Sequence, residues 1–296
     1  MSDKLEIGRR NILPIRGFLL HITHYDPRWW EAKPDESPFD LEVGLALVDE
    51  MAKAGLNLLV VDCADGIEYA THPELARHYT VPKEVLVALA ERARANEIEI
   101  VPKLNFAQSG LHRHNHWFRP HHNLFDSDRY WELAFEIIDE VIEIVQPARF
   151  FHVGMDEDHW RSYDQYVAAI RRLRAGVKAR GLRTLIWNDS ACLWPQAAIH
   201  RDKSLEAEKR GPRDVIHIVW DYSGADLDAL KRVADAGLEV WGAPGREPHL
   251  VTDMRDALLE VGGTGILLTR WVPCTQATEE ELRNHIRTLG PLCSSD

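Results

Sequence analysis

The 296-residue sequence has no apolar run approaching the roughly 20 residues of a membrane-spanning helix. Its N-terminus, MSDKLEIGRRNILPIRGFLL, carries charges where an export signal would have its apolar core, so a cytoplasmic chain is expected. Positive charge is in deficit: 35 Lys and Arg face 47 Asp and Glu, for a net charge of −12. Nucleic acid and anionic membranes both require clustered basic surface, so neither is expected as a partner, and a neutral or cationic ligand suits better. Cysteine is scarce and scattered (Cys63, Cys192, Cys274, Cys293) with no CxxC spacing, which argues against a zinc knuckle or a disulfide framework. No GxGxxG follows a strand-like run, which removes the dinucleotide-binding open sheet, and no cofactor is called for. With no low-complexity linker either, a single domain over 1–296 is expected, and a homo-oligomer is left open.

What is present is alternation. Short apolar runs at 15–22, 56–63, 98–106, 149–154, 183–188, 215–222, 238–242 and 265–271 read as strands. Helix-periodic stretches at 41–54, 83–96, 130–145, 165–180, 227–236, 249–261 and 279–289 fall between them, several ending in glycine as at Gly55, Gly181 and Gly237. Eight such units predict an α/β fold, the (β/α)₈ TIM barrel, whose catalytic residues lie at the C-terminal ends of the strands.

Those ends are rich in chemistry. The first runs into His21, His24, Tyr25, Asp26, Trp29 and Trp30, the second into Asp62 and Asp65, the third into Lys103, Asn105 and a histidine-rich loop. The fourth reaches His152, Asp156 and Glu157, the fifth Trp187, Asn188 and Asp189, and the sixth Trp220, Asp221 and Tyr222. The seventh ends in Trp241, and the eighth in Arg270 and Trp271. Polar groups are costly inside a barrel, and tryptophan, abundant here at 10 residues, offers flat apolar faces to a sugar ring.

The segment from Arg149 to Asp158 sets apolar residues directly against three acids, with Gly154 permitting a turn before Asp156 and Glu157. Two carboxylates held close push one pKa upward, and an acid protonated near neutral pH can serve as a general acid. The plain alternative is an acidic cap on the following helix.

His152-Val153-Gly154-Met155-Asp156-Glu157 resembles the His-x-Gly-Gly-Asp-Glu signature of family 20 glycoside hydrolases, the β-N-acetylhexosaminidases, with Met155 at the second glycine. Arg16-Gly17-Phe18, the stretch from Lys53 to Asn57 with Asp65, Val101-Pro102 and Trp187 are similar to the family's blocks in order and spacing. The resemblance spans roughly residues 15–275, and its specific part is the strand-four motif. It implies retaining hydrolysis in which the substrate's own 2-acetamido oxygen attacks C1. Asp156 would orient the acetamido N–H, and Glu157 would protonate the glycosidic oxygen and then activate water. Asp65 would relay charge with His112, for which His114 and His116 are rivals. Tyr222 would hydrogen-bond the acetamido carbonyl, with Trp187, Trp220 and Trp271 as walls. His24, Asn105, His152 and Asp189 complete the expected substrate-binding set.

The departures lie among the hydroxyl-binding residues. His24 stands at the family's arginine, Lys103 at the glutamate of its Pro-Glu strand, and Trp271-Val272-Pro273 at its Trp-x-Glu. The choice between GlcNAc and GalNAc is left open. The family's small α+β domain is not expected, because the first strand begins near residue 15.

Two rivals stand beside this reading. His112, His114, His116, His121 and His122, with His152, Asp156, Glu157 and His21, could form the metal centre of a sugar isomerase or hydrolase barrel. A carbohydrate-binding barrel without turnover is the other.

Overall fold

The structure, a computed structural model, describes residues 12–22, 36–109 and 117–294. Within them eight strands alternate with eight α-helices. The strands are β1 (Ile15–His21), β2 (Leu58–Asp62), β3 (Glu99–Lys103), β4 (Phe150–His152), β5 (Arg183–Asn188), β6 (Ile216–Asp221), β7 (Glu239–Pro244) and β8 (Gly265–Thr269). The helices are α1 (Leu41–Lys53), α2 (Lys83–Ala95), α3 (Asp128–Val145), α4 (Tyr163–Ala179), α5 (Ala198–Arg210), α6 (Leu227–Asp235), α7 (Pro248–Val261) and α8 (Glu279–Leu289). Each strand runs parallel to the next and β8 pairs with β1, closing a (β/α)₈ barrel.

Local chemistry sets the helix ends. Asp40, Ser127 and Asp226 each accept a hydrogen bond from a first-turn amide of α1, α3 and α6. Ser162 and Gln165 form a capping box on α4. Gly55 and Gly181 follow their helices at φ of +76° and +78°, the left-handed conformation glycine adopts freely.

The sequence pattern did not reveal α5. This helix buries His200, Lys203, Ser204, Ala207 and Glu208, a mostly polar inner face without an apolar stripe to announce it.

Strand parity divides the apolar residues into two cores. Leu19, Leu58, Val60, Val101, Phe150, Leu185, Trp187, Ile218, Trp241 and Leu267 fill the barrel, whereas Phe18, Leu20, Leu59, Val61, Phe151, Ile186 and Leu268 pack outward against the helices. Above the inner apolar layer, His21, Asp62, Lys103 and His152 stand in register across β1 to β4. Lys103 Nζ donates to Asp62 Oδ2 at 2.6 Å, and His21 Nδ1 lies 3.5 Å from the same oxygen.

Candidate active site

The chain leaves β4 through a turn that few residues tolerate: φ is +72° at Gly154, +80° at Met155 and +49° at Glu157. A Cβ on Gly154 would overlap the Asn105 side chain, so glycine is required by space as well as by conformation. Asn105, just past β3, holds the turn. Its Oδ1 accepts from Met155 N at 3.1 Å and Ala107 N at 2.9 Å, while Nδ2 donates to Asp156 Oδ1 at 2.7 Å. From the outer side the Tyr166 hydroxyl of α4 donates to Met155 O at 2.7 Å.

The third acid of the motif belongs to the scaffold. Asp158 is fully buried and accepts from Gln108 N and Arg161 N; its carboxylate also pairs with Arg161 at 2.8 Å and Lys203 at 3.1 Å. Lys203 Nζ further donates to the Asp158 carbonyl at 2.6 Å, which ties α5 to the turn. Beside it, Asp189 after β5 accepts from Glu157 N at 2.8 Å through Oδ2 and from Trp220 Nε1 at 2.8 Å through Oδ1.

These contacts separate the acids electrostatically. Burial, then the neighbouring Asp156 and Asp189 charges, push the Glu157 carboxyl up to about 9. Burial and Asp156 likewise raise Asp189 to about 7, against the hydrogen bonds it accepts. Burial, with Lys103 close by, lowers His152 to about 3, so its imidazole is neutral at pH 7. Its Nδ1 accepts from Gly154 N at 3.0 Å, which leaves the N–H on Nε2. That donor and the Trp187 indole N–H are both buried without a hydrogen-bond partner. The Asp156 charge is felt by His152, Glu157, Asp189 and Tyr222, which places the acid among residues at the ends of β4, β5 and β6.

Aromatic rings surround this centre. Trp187 packs on His152 (4.8 Å between centroids) and Trp271 (6.2 Å), and Trp271 packs on His21 (4.9 Å). Trp220 lies between Trp194 (5.5 Å) and Tyr222 (5.2 Å). The Tyr222 hydroxyl accepts from Trp271 Nε1 at 2.6 Å and lies 3.1 Å from Thr269 Oγ1. The Arg246 guanidinium sits 5.8 Å from the Tyr222 ring.

The structure thus gathers Asn105, His152, Asp156, Glu157, Trp187, Asp189, Trp220, Tyr222 and Trp271 at strand ends. Asn105 and Asp189, expected to touch substrate, are engaged with Asp156, Glu157 and Trp220. Asp65 is buried, accepts from the Tyr79 hydroxyl at 2.8 Å and has Arg77 at 3.5 Å. His24 and His112, with the rivals His114 and His116, lie outside the described residues. Trp241 differs from expectation: β7 continues to Pro244, and the indole lies within the barrel edge-on to Phe150, donating to Thr264 Oγ1 at 2.9 Å. Trp194, 42% exposed before α5, and Arg246 were not anticipated, because both come from connections without a recognisable pattern. Among the described residues, the His, Cys, Asp and Glu side chains close enough to share an ion are His72, Glu74 and His121, a group that includes none of His21, His152, Asp156 and Glu157. No described helix is long and apolar enough to cross a membrane.

No family model and no curated protein matches the sequence. Solved structures do match. An exo-β-N-acetylglucosaminidase of glycoside hydrolase family 20 from Vibrio harveyi, in complex with N-acetylglucosamine, aligns over 96% of this chain and 55% of its own with TM-score 0.67 at 12% identity. A mutant Streptomyces plicatus β-hexosaminidase bound to its product GlcNAc aligns over 96% and 64% with TM-score 0.70 at 14% identity. Dispersin B aligns over 95% and 98% with TM-score 0.59 at 14% identity. The chain therefore shares the barrel fold of family 20 hexosaminidases, and spans between about half and two thirds of the first two.

Proposed function

We propose that the chain is a retaining glycoside hydrolase that releases a terminal β-linked N-acetylhexosamine, GlcNAc or GalNAc, by substrate-assisted catalysis. The observation that carries the reading is the turn after β4. There Asn105 fixes Asp156 beside a Glu157 that burial and two neighbouring acids keep protonated at neutral pH. A helix cap would leave both carboxylates solvated, whereas Asp156 is 6% exposed.

In the first step the acetamido carbonyl oxygen of the sugar attacks C1 and the bond from C1 to the aglycone oxygen breaks. Glu157 gives its proton to that oxygen, and Asp156 holds the acetamido N–H of the resulting oxazolinium ion. Water then attacks C1, Glu157 takes its proton, and the ring opens to restore the acetamido group with retained configuration. Adjacent acids suffice because each serves a different atom of one sugar. The indoles of Trp187 and Trp271, which pack against each other, and of Trp220 offer apolar walls at the strand ends.

Aryl glycosides differing at C2 and C4 test this. Turnover is expected for 2-acetamido substrates and not for the matching β-glucosides. Glu157→Gln should lower turnover of a poor-leaving-group substrate by about 10²–10⁴-fold. Equal rates on aryl β-glucosides would end the substrate-assisted mechanism, and sugar binding without any turnover would favour a lectin-like barrel.

A further inference from the structure

Away from the carboxylate pair, the connections after β2 and β3 meet side chain to side chain. His72 precedes the 3₁₀ turn Pro73–Leu75 in the first, and His121 lies in the 3₁₀ segment Arg119–Leu124 of the second. Glu74 stands between them, its Oε1 2.9 Å from His72 Nδ1 and 2.9 Å from His121 Nε2. The imidazoles are edge to face, with centroids 5.6 Å apart. Behind them, His72 Nε2 lies 3.0 Å from Glu136 Oε2 of α3.

Hydrogen bonding accounts for only part of this arrangement. His72, between Glu74 and Glu136, has a carboxylate oxygen within hydrogen-bonding distance of each ring nitrogen. His121 Nε2, however, is buried close to the Glu74 carboxylate without the alignment of a hydrogen bond to any partner. Two imidazole nitrogens and a carboxylate oxygen, all within 4.8 Å of one another, are a ligand set for a small divalent cation. Donors held about 2.0–2.1 Å from tetrahedral zinc are separated by about 3.4 Å, so shifts of about an ångström or less would close the shell. The mixed nitrogen and oxygen donors suit zinc and its late first-row neighbours and do not suit calcium or magnesium, which take oxygen ligands. With His72 Nδ1 on the metal, its Nε2–H donates to Glu136, the outer carboxylate that fixes the orientation of a metal-bound imidazole.

We infer that His72, Glu74 and His121 form a Zn²⁺ site that clasps the β2–α2 connection to the β3–α3 connection. Glu136 positions His72, and the fourth coordination place opens to solvent beside Glu74, which is 43% exposed. The ion would fasten two loops of the barrel and take no part in the glycosidic step.

The whole chain, stripped by dialysis against a chelator, is titrated with Zn²⁺ by calorimetry and with Co²⁺ by visible absorption. One equivalent should bind, with the d–d bands of a low-coordinate cobalt site, and Zn²⁺ should raise the unfolding temperature. Glu136→Gln should weaken binding by about 10–100-fold with the fold intact. His121→Asn and Glu74→Gln should remove the zinc-dependent rise in unfolding temperature, while His78→Asn, on the exposed surface nearby, should bind like the unaltered chain. Absent or substoichiometric binding, or binding indifferent to His121→Asn and Glu74→Gln, would overturn the inference. None of these readouts depends on hydrolysis, so they stand apart from the test of the proposed function.

Discussion

At Met155 two residue-scale effects oppose each other. Its φ of +80° is a conformation that costs a non-glycine residue about 1–3 kcal/mol. Its side chain is fully buried against the outer core, and deleting a buried methionine costs about 2–5 kcal/mol. Packing outweighs strain, so Met155→Gly is expected to lower stability by about 1–3 kcal/mol, measured by urea unfolding; a gain would reverse that ranking. Residue identity and spacing allow either a helix cap or a carboxylate pair at Asp156 and Glu157, and the resemblance of residues 152–157 to the family motif is what singles the pair out. Identity and spacing did not distinguish Asp158, which looks the same in one dimension and differs only because Arg161 and Lys203 arrive from elsewhere. Nor could spacing say that the Asn105 side chain would hold Asp156, since that contact depends on β3 and β4 being neighbours.

At the scale of elements, strands and helices with a one-sided apolar pattern were readable, and β5 has the bounds expected of it. β4 is shorter than the expected 149–154, because Val153 and Gly154 already belong to the turn carrying the acids although Val153 continues the apolar run. α5 went unread because it is held by polar contacts. Lys203 gives this helix its grip on the site, with the lysine 1% and Asp158 0% exposed. Lys203→Ala should therefore destabilise the chain by about 3 kcal/mol, since it leaves part of a buried ion cluster uncompensated. Chemical unfolding checks this, and an unchanged midpoint would mean that Arg161 alone satisfies Asp158.

Across the whole molecule, the raised acid couples folding to pH. Glu157 titrates near its ordinary value of 4.5 when unfolded and at about 9 when folded, so between those values the folded chain holds a proton that the unfolded chain has lost. Its contribution to stability thus falls as pH rises through that window. Glu157→Gln removes the penalty: the variant should unfold at a higher temperature than the unaltered chain near pH 8.5, with the difference shrinking toward pH 5. A constant difference across that range would mean that Glu157 is not held protonated. In catalysis the same group should give an alkaline limb, activity falling as pH rises through the acid's pKa, and the Gln variant should lack it.

The pairing of β1 with β8 also bears on assembly. A closed ring of strands presents no rim of unsatisfied amides and carbonyls onto which a foreign strand could zip. Association through the described barrel therefore relies on the helices and loops outside the ring, by side-chain complementarity rather than by extension of this sheet.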